Sequence, residues 1–187
     1  MNYTDYLSRC TDRGQDVTAL DNWLCKETSW LTAPASTKLE YHSAFKGGLI
    51  VHSMFVTATL LHMKEKMAPE LTDESCIIVG MFHDLGKVGK SINEPYYIPQ
   101  ESEWHRNKPG QMYEVNKNLL HIDIATRSLL MVTRFVPLWD EEVQAILYHD
   151  GQYIPGNADV AHKECKLTRL LQYADNWAAG ALEKEKG

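Results

Sequence analysis

The chain has 187 residues, 25 of them acidic and 19 basic, for a formal net charge of −6 with its eight histidines neutral. That balance argues against a protein whose main work is coating DNA or RNA, because phosphate binding shows as a basic surface excess. Apolar residues at 44% and charged ones at 24% suit a soluble globule, and the length suffices to bury a core without disulfides, so one domain over 1–187 is expected.

Helical periodicity dominates. Residues 3–12 and 17–31 read as two amphipathic helices, the second capped by Asp16 and striped by Leu20, Trp23, Leu24 and Trp30. Residues 32–38, TAPASTK, form a polar turn. A helix over 49–67 is stopped by Pro69. Thr72 opens a capping sequence, TDES, ahead of CIIVGMFHDLG, where Gly86 is the expected terminator. From 91 to 118 the periodicity breaks. Prolines and Gly110 punctuate YYI and QMYEV, two short β-like runs able to pair as a hairpin around 93–116. Helices resume over 119–136, over 140–149 behind the cap Asp140, and over 162–184, ending in a solvated EKEKG tail. The expected fold is an all-α bundle with one irregular excursion.

No uncharged apolar run approaches the roughly eighteen residues of a membrane helix, and MNYTDYLSRC carries no apolar signal core, so a cytoplasmic protein without a membrane partner is expected. Cys10, Cys25, Cys76 and Cys165 form no CxxC pair and read as free thiols.

The chemistry centres on His83-Asp84, where an apolar helix runs directly into two good metal ligands. Adjacent helical residues diverge by about 100°, so one ion meets both side chains only at a helix end or bend. His52 lies on the 49–67 helix just after Gly47-Gly48, a pair that permits a sharp entry and close backbone approach. Asp175 lies in LLQYADNWAAG, among Leu171, Ala174, Ala178 and Ala179, where an ionised carboxylate needs a cation or hydrogen bonds. Two neutral imidazoles and two carboxylates balance one divalent cation and leave coordination positions open. Taken one at a time, each residue has a plainer reading: a half-buried histidine capped by its neighbour, or an aspartate serving Arg169.

Taken together, GGLIVHS (His52), HDLGK (His83, Asp84) and QYADNWA (Asp175) resemble the HD superfamily of metal-dependent phosphohydrolases, over roughly residues 39–180. The resemblance implies an all-helical HD-domain bundle, one or two divalent ions (Mn, Mg, Fe, Co or Ni) between helices, and cleavage of phosphate esters, usually of nucleotides. YHSAFKGGLIVHS looks like the entry to that family's first metal helix, with His42 at the rim of the site. In the superfamily's dinuclear branch two later histidines hold a second ion. Here His149, in ILYHDGQY, matches one of them with Asp150 in place of the following histidine. His121, in NLLHIDIATRS, matches the other loosely, with Asp123 as a competitor.

Lys87 in HDLGK suits a place beside a substrate phosphate, and Arg127 with Ser128 a second phosphate clamp. Aromatics interleaved with cations at 91–118, Trp104 and Arg106 among them, suit a lid that stacks a base and holds phosphate, or else a satellite cluster clamping the loop. The expected activity is hydrolysis of a phosphate ester or anhydride of a small nucleotide, with Asp84, Lys87 and His149 catalytic. Its rivals are a di-iron oxygenase of the same superfamily and a non-catalytic nucleotide-binding module. No stable nucleic-acid complex is expected, and self-association is left open.

Overall fold

The computed structural model describes residues 2–108 and 110–183, Tyr153 by its backbone alone. The fold is mostly α. Its helices are α1 (Tyr3–Leu7), α2 (Gly14–Glu27), α3 (Gly48–Met67), α4 (Asp73–Phe82), α5 (Glu103–Asn107), α6 (Ile124–Val132), α7 (Asp140–Leu147) and α8 (Lys166–Trp177). One two-stranded antiparallel sheet pairs β1 (Tyr97–Pro99) with β2 (Tyr113–Val115), with Ile98 opposite Glu114. No helix among the described residues is long and apolar enough to cross a membrane.

The hairpin lies inside the irregular excursion expected at 93–116, but the short α5 interrupts it. Other boundaries differ from the sequence reading, each for a local reason. α1 stops at Leu7, and α2 begins at Gly14, so Asp16 sits inside its first turn instead of capping it. Residues 119–123 stay outside α6, because the Asp123 carboxylate caps that helix by accepting the Thr126 N–H at 2.8 Å. α7 starts at Asp140 behind Trp139, whose N–H donates to the Glu142 carboxylate at 2.9 Å. α8 begins only at Lys166 and passes at Ala178–Leu182 into one π turn. Residues 184–187 of the expected solvated tail lie outside the described residues.

The core sits where α3 crosses α4 and α8, around the fully buried Leu49, Val56, Leu60, Ile77, Phe82 and Leu171, with Trp30 sealing it from the side of α2. Burying each such aliphatic or aromatic side chain is worth about 1.5–3 kcal/mol. α3 is apolar on most of its surface, as a central helix must be. Its entry depends on glycine twice. Gly47 has φ +82°, and a Cβ on Gly48 would lie 2.0 Å from the Ser43 carbonyl oxygen. That contact lays the 42–47 loop against the first turn of α3, close to His52.

Candidate metal centre

Three helices deliver the expected ligands to one point. α3 carries His52, fully buried one turn in from its N-terminus; the end of α4 carries His83 and Asp84; α8 carries Asp175. His83 keeps helical angles (φ −56°, ψ −39°), whereas Asp84 (φ −99°, ψ 12°) leaves the helix. The bend between them lets consecutive side chains turn to the same place. Gly86 does not terminate α4, which has already ended at Phe82. It lies in a 3₁₀ turn, Leu85–Val88, where its N–H donates to Ser128 Oγ at 2.7 Å and a Cβ would meet the Ile124 carbonyl oxygen at 2.3 Å.

His52 Nε2 lies 3.0 Å from Asp175 Oδ1 and 3.6 Å from Asp84 Oδ2. His83 Nε2 lies 3.7 Å from Asp84 Oδ2 and 3.8 Å from Asp175 Oδ1. His83 Nδ1 donates to the Gly80 carbonyl at 3.0 Å, which leaves the Nε2 lone pair aimed at the carboxylates. Among the described residues, the buried Nε2 atoms of His52 and His83 find no properly aligned hydrogen-bond partner. Such orphaned atoms are costly unless something else satisfies them. The ligand atoms of His52, His83 and Asp84 lie within 4.8 Å of one another, as do those of His83, His149 and Asp175. Imidazole and carboxylate together suit a divalent transition metal.

Asp84, Asp175 and Glu183 surround His52, and among the described residues one ammonium, that of Lys87, answers them on Asp84 Oδ2. Without an ion, protonated His52 and His149 supply the remaining positive charge, and a divalent cation that displaces those protons takes their place. Burial works against ionisation of Asp84 and Asp175, but Lys87 (for Asp84) and the surrounding histidines hold both below the usual carboxylate range. Burial likewise opposes charge on Lys87, yet Asp84 outweighs it and raises its pKa.

His149 also joins this cluster. It is buried at the end of α7, its Nδ1 donates to the Ile146 carbonyl at 2.8 Å, and its Nε2 lies 3.5 Å from Asp84 Oδ1. His42 stacks on His52 with ring centroids 4.5 Å apart. Above the cluster opens a cleft of about 850 Å³, lined by Asp84, Lys87, His149 and Asp175, with His42, Asp150, Gln172, Asn176 and the rings of Tyr41, Tyr97 and Tyr173.

Other expected site residues lie elsewhere. His121 is exposed and belongs to neither ligand group. Ser128 is fully buried, its hydroxyl committed to Gly86 N–H and to the Ile124 carbonyl, so it braces the HDLGK turn rather than facing the cleft. Arg127, also buried, donates to the Leu120 carbonyl at 2.9 Å and anchors the segment before α6. Arg106 donates to the carbonyls of Gln100 and Glu101, and Trp104 is largely exposed with its edge on His105. None of these five lines the cleft; the excursion contributes Tyr97 instead.

Glu183 escaped the sequence reading, which placed it in the solvated EKEKG run. Its carboxyl side chain is only 2% exposed, accepts from His52 Nδ1 at 2.7 Å and is held by the Ser43 hydroxyl. A charge run at the end of a helix carries no local signal for such a contact. Comparisons with protein-family models, with curated proteins and with solved structures give no match for this chain, so the site stands on its own geometry.

Proposed function

We propose that the chain is a metal-dependent phosphohydrolase cleaving a phosphate ester or anhydride of a small nucleotide. The observation carrying this reading is the convergence of His52, His83, Asp84 and Asp175 beneath an open cleft, with the buried Nε2 of His83 lacking a hydrogen-bond partner among the described residues. The order of these ligands along the chain, which resembles that of the HD superfamily, supports the same reading. A divalent ion held there would bring the pKa of a water toward neutrality and offset charge on a phosphoryl oxygen.

The chain's own groups have separable tasks. Asp84 and Asp175 are held ionised, as ligands must be. His149 opens on the cleft through Nε2, because Nδ1 is committed to Ile146. It is placed to hold a proton for the leaving oxygen, a role worth roughly 10²–10⁴-fold. Lys87 fixes Asp84 and sets a positive charge at the cleft floor, where charge on the transferring group would develop. Tyr41, Tyr97 and Tyr173 offer ring faces or edges for a flat base. The cleft volume falls within the range of about 300–1,000 Å³ usual for small-molecule sites.

A second reading, oxygen chemistry at a two-iron site, draws on the second ligand group of His83, His149 and Asp175. Elemental analysis of protein purified anaerobically, followed by a nucleotide panel with the metal found, separates the two. Phosphate release supports the hydrolase. Oxygen uptake with Fe(II) and no phosphate release supports the oxygenase, and nucleotide binding without either reaction leaves a binding module.

A further inference from the structure

Both nitrogens of His52 face carboxylates that come from one continuous segment. Asp175 on α8 stands at Nε2, and Glu183, eight residues later, accepts from Nδ1. We propose that Glu183 is a positioning residue of the metal centre: it holds the Nδ1 proton of His52 and so turns the Nε2 lone pair toward Asp84 and Asp175. The inference rests on the metal-centre reading above and adds a residue outside the ligand set.

Backbone geometry explains how Glu183 arrives. In an unbroken α-helix, eight residues advance about 800°, which would set Glu183 about 80° around the axis from Asp175. Instead Ala178–Leu182 form a π turn, in which the Glu183 N–H donates to the Ala178 carbonyl at 3.1 Å. Each residue in this wider turn advances less, so Glu183 swings back toward the face that carries Asp175. Single π turns inside α-helices frequently occur at functional sites.

On the other side the Ser43 hydroxyl donates to the second Glu183 oxygen. Ser43 adopts a positive φ of 44°, uncommon for a residue other than glycine, and its carbonyl packs against Gly48. The 42–47 loop and the π turn thus close on His52 together, with the ring of His42 stacked beside it. A side chain only 2% exposed, with both oxygens committed to one imidazole and one hydroxyl, is built to hold that imidazole still. Partners of this kind fix the tautomer and the ring direction of metal-binding histidines, and their loss typically lowers metal affinity 10–100-fold.

The test uses Zn(II), which is diamagnetic, on the full chain at pH 8. Wild type is expected to bind Zn(II) and to show a protected His52 Nδ1–H resonance. In Glu183→Ala that resonance should disappear and the Zn(II) dissociation constant rise by about 10–100-fold. Glu183→Gln keeps a carbonyl acceptor, so it should retain the resonance and lose less affinity. Ser43→Ala, which frees the carboxylate without removing it, should give an intermediate loss and serves in place of the alanine variant if that fails to fold. Unchanged Zn(II) affinity in Glu183→Ala, or in Ser43→Ala when that is the variant read, overturns the proposal, as does a lowered thermal midpoint with affinity intact. A wild-type protein that binds Zn(II) tightly but releases phosphate with no metal refutes the hydrolase alone, because the positioning role is read from binding.

Discussion

Metal binding at this site is expected to be strongly pH-dependent, since the incoming ion must displace a proton from His52. Burial opposes charge on that imidazole, but Asp175, Glu183 and Asp84 outweigh it and raise its pKa to about 9. At pH 7 the group is then mostly protonated, a competition that lowers apparent affinity by on the order of 100-fold. His83 releases nothing, because burial lowers its pKa to about 4. His149 resembles His52: burial is outweighed by the Asp84 carboxylate, and its pKa rises to about 9. A single ion on His52, His83, Asp84 and Asp175 therefore releases one proton, and affinity rises about tenfold per pH unit between 6 and 8. If His149 also ligates, two protons leave and the slope is about a hundredfold per unit. Affinity falls toward acid in either case.

Calorimetric titration with Mn(II), in pairs of buffers that differ in ionisation enthalpy, counts these protons at each pH. Equal affinity at pH 6 and 8 with no proton release would refute the assignment of His52 as a ligand. The metal-free protein should show the complementary trend. A histidine whose pKa is raised above its ordinary 6.5 stabilises the fold below that pH, and the contribution is lost as pH rises through about 9.

His83→Ala and Asp84→Ala should each abolish turnover and metal retention while helical circular dichroism survives; Asp175→Ala should do nearly the same, and activity intact in that variant removes the four-ligand assignment. Gly86→Ala drives a Cβ against the Ile124 carbonyl and breaks the Ser128 brace, so a loss of about 1–3 kcal/mol is expected together with weaker metal binding. Thermal melts and a Zn(II) titration check both, and a variant unchanged in either counts against the brace. Arg13 donates to both oxygens of the buried Glu142 at 2.7 Å, to Glu74 at 3.1 Å and to the Pro137 carbonyl at 3.0 Å. Arg13→Ala leaves Glu142, which is 1% exposed, without its cation and with the Trp139 N–H as partner, and should cost about 3–5 kcal/mol, a fall of about 6–20 °C in midpoint. A fall under about 3 °C would show the carboxylate finding another partner.

Residues whose role depends on short-range pattern were legible in the chain. HDLGK places two candidate ligands at a helix end, the double glycine marks a close entry before His52, and the one acid of α8 asks for a counter-charge. Polar side chains that bond to backbone groups gave no sign of it in the sequence. Ser128, Arg127 and Arg106 look available as anion binders from composition, yet each donates to a backbone carbonyl within the fold. Buried backbone carbonyls and N–H groups must be satisfied, and sequence spacing does not say which side chain does it. His121 and Trp104 are exposed, and the excursion's contribution to the cleft is Tyr97.

Local chemistry thus determined the mostly helical class, the place of the hairpin and the residue types of a cation site, because periodicity, caps and ligand identity act over a few residues. Only tertiary structure decided that Asp84 turns away from its helix while His83 remains on it, and that Glu183 closes on the far nitrogen of His52. Those outcomes depend on a few degrees of backbone rotation and one π turn, summed across helices far apart in the chain, and no local preference encodes that sum.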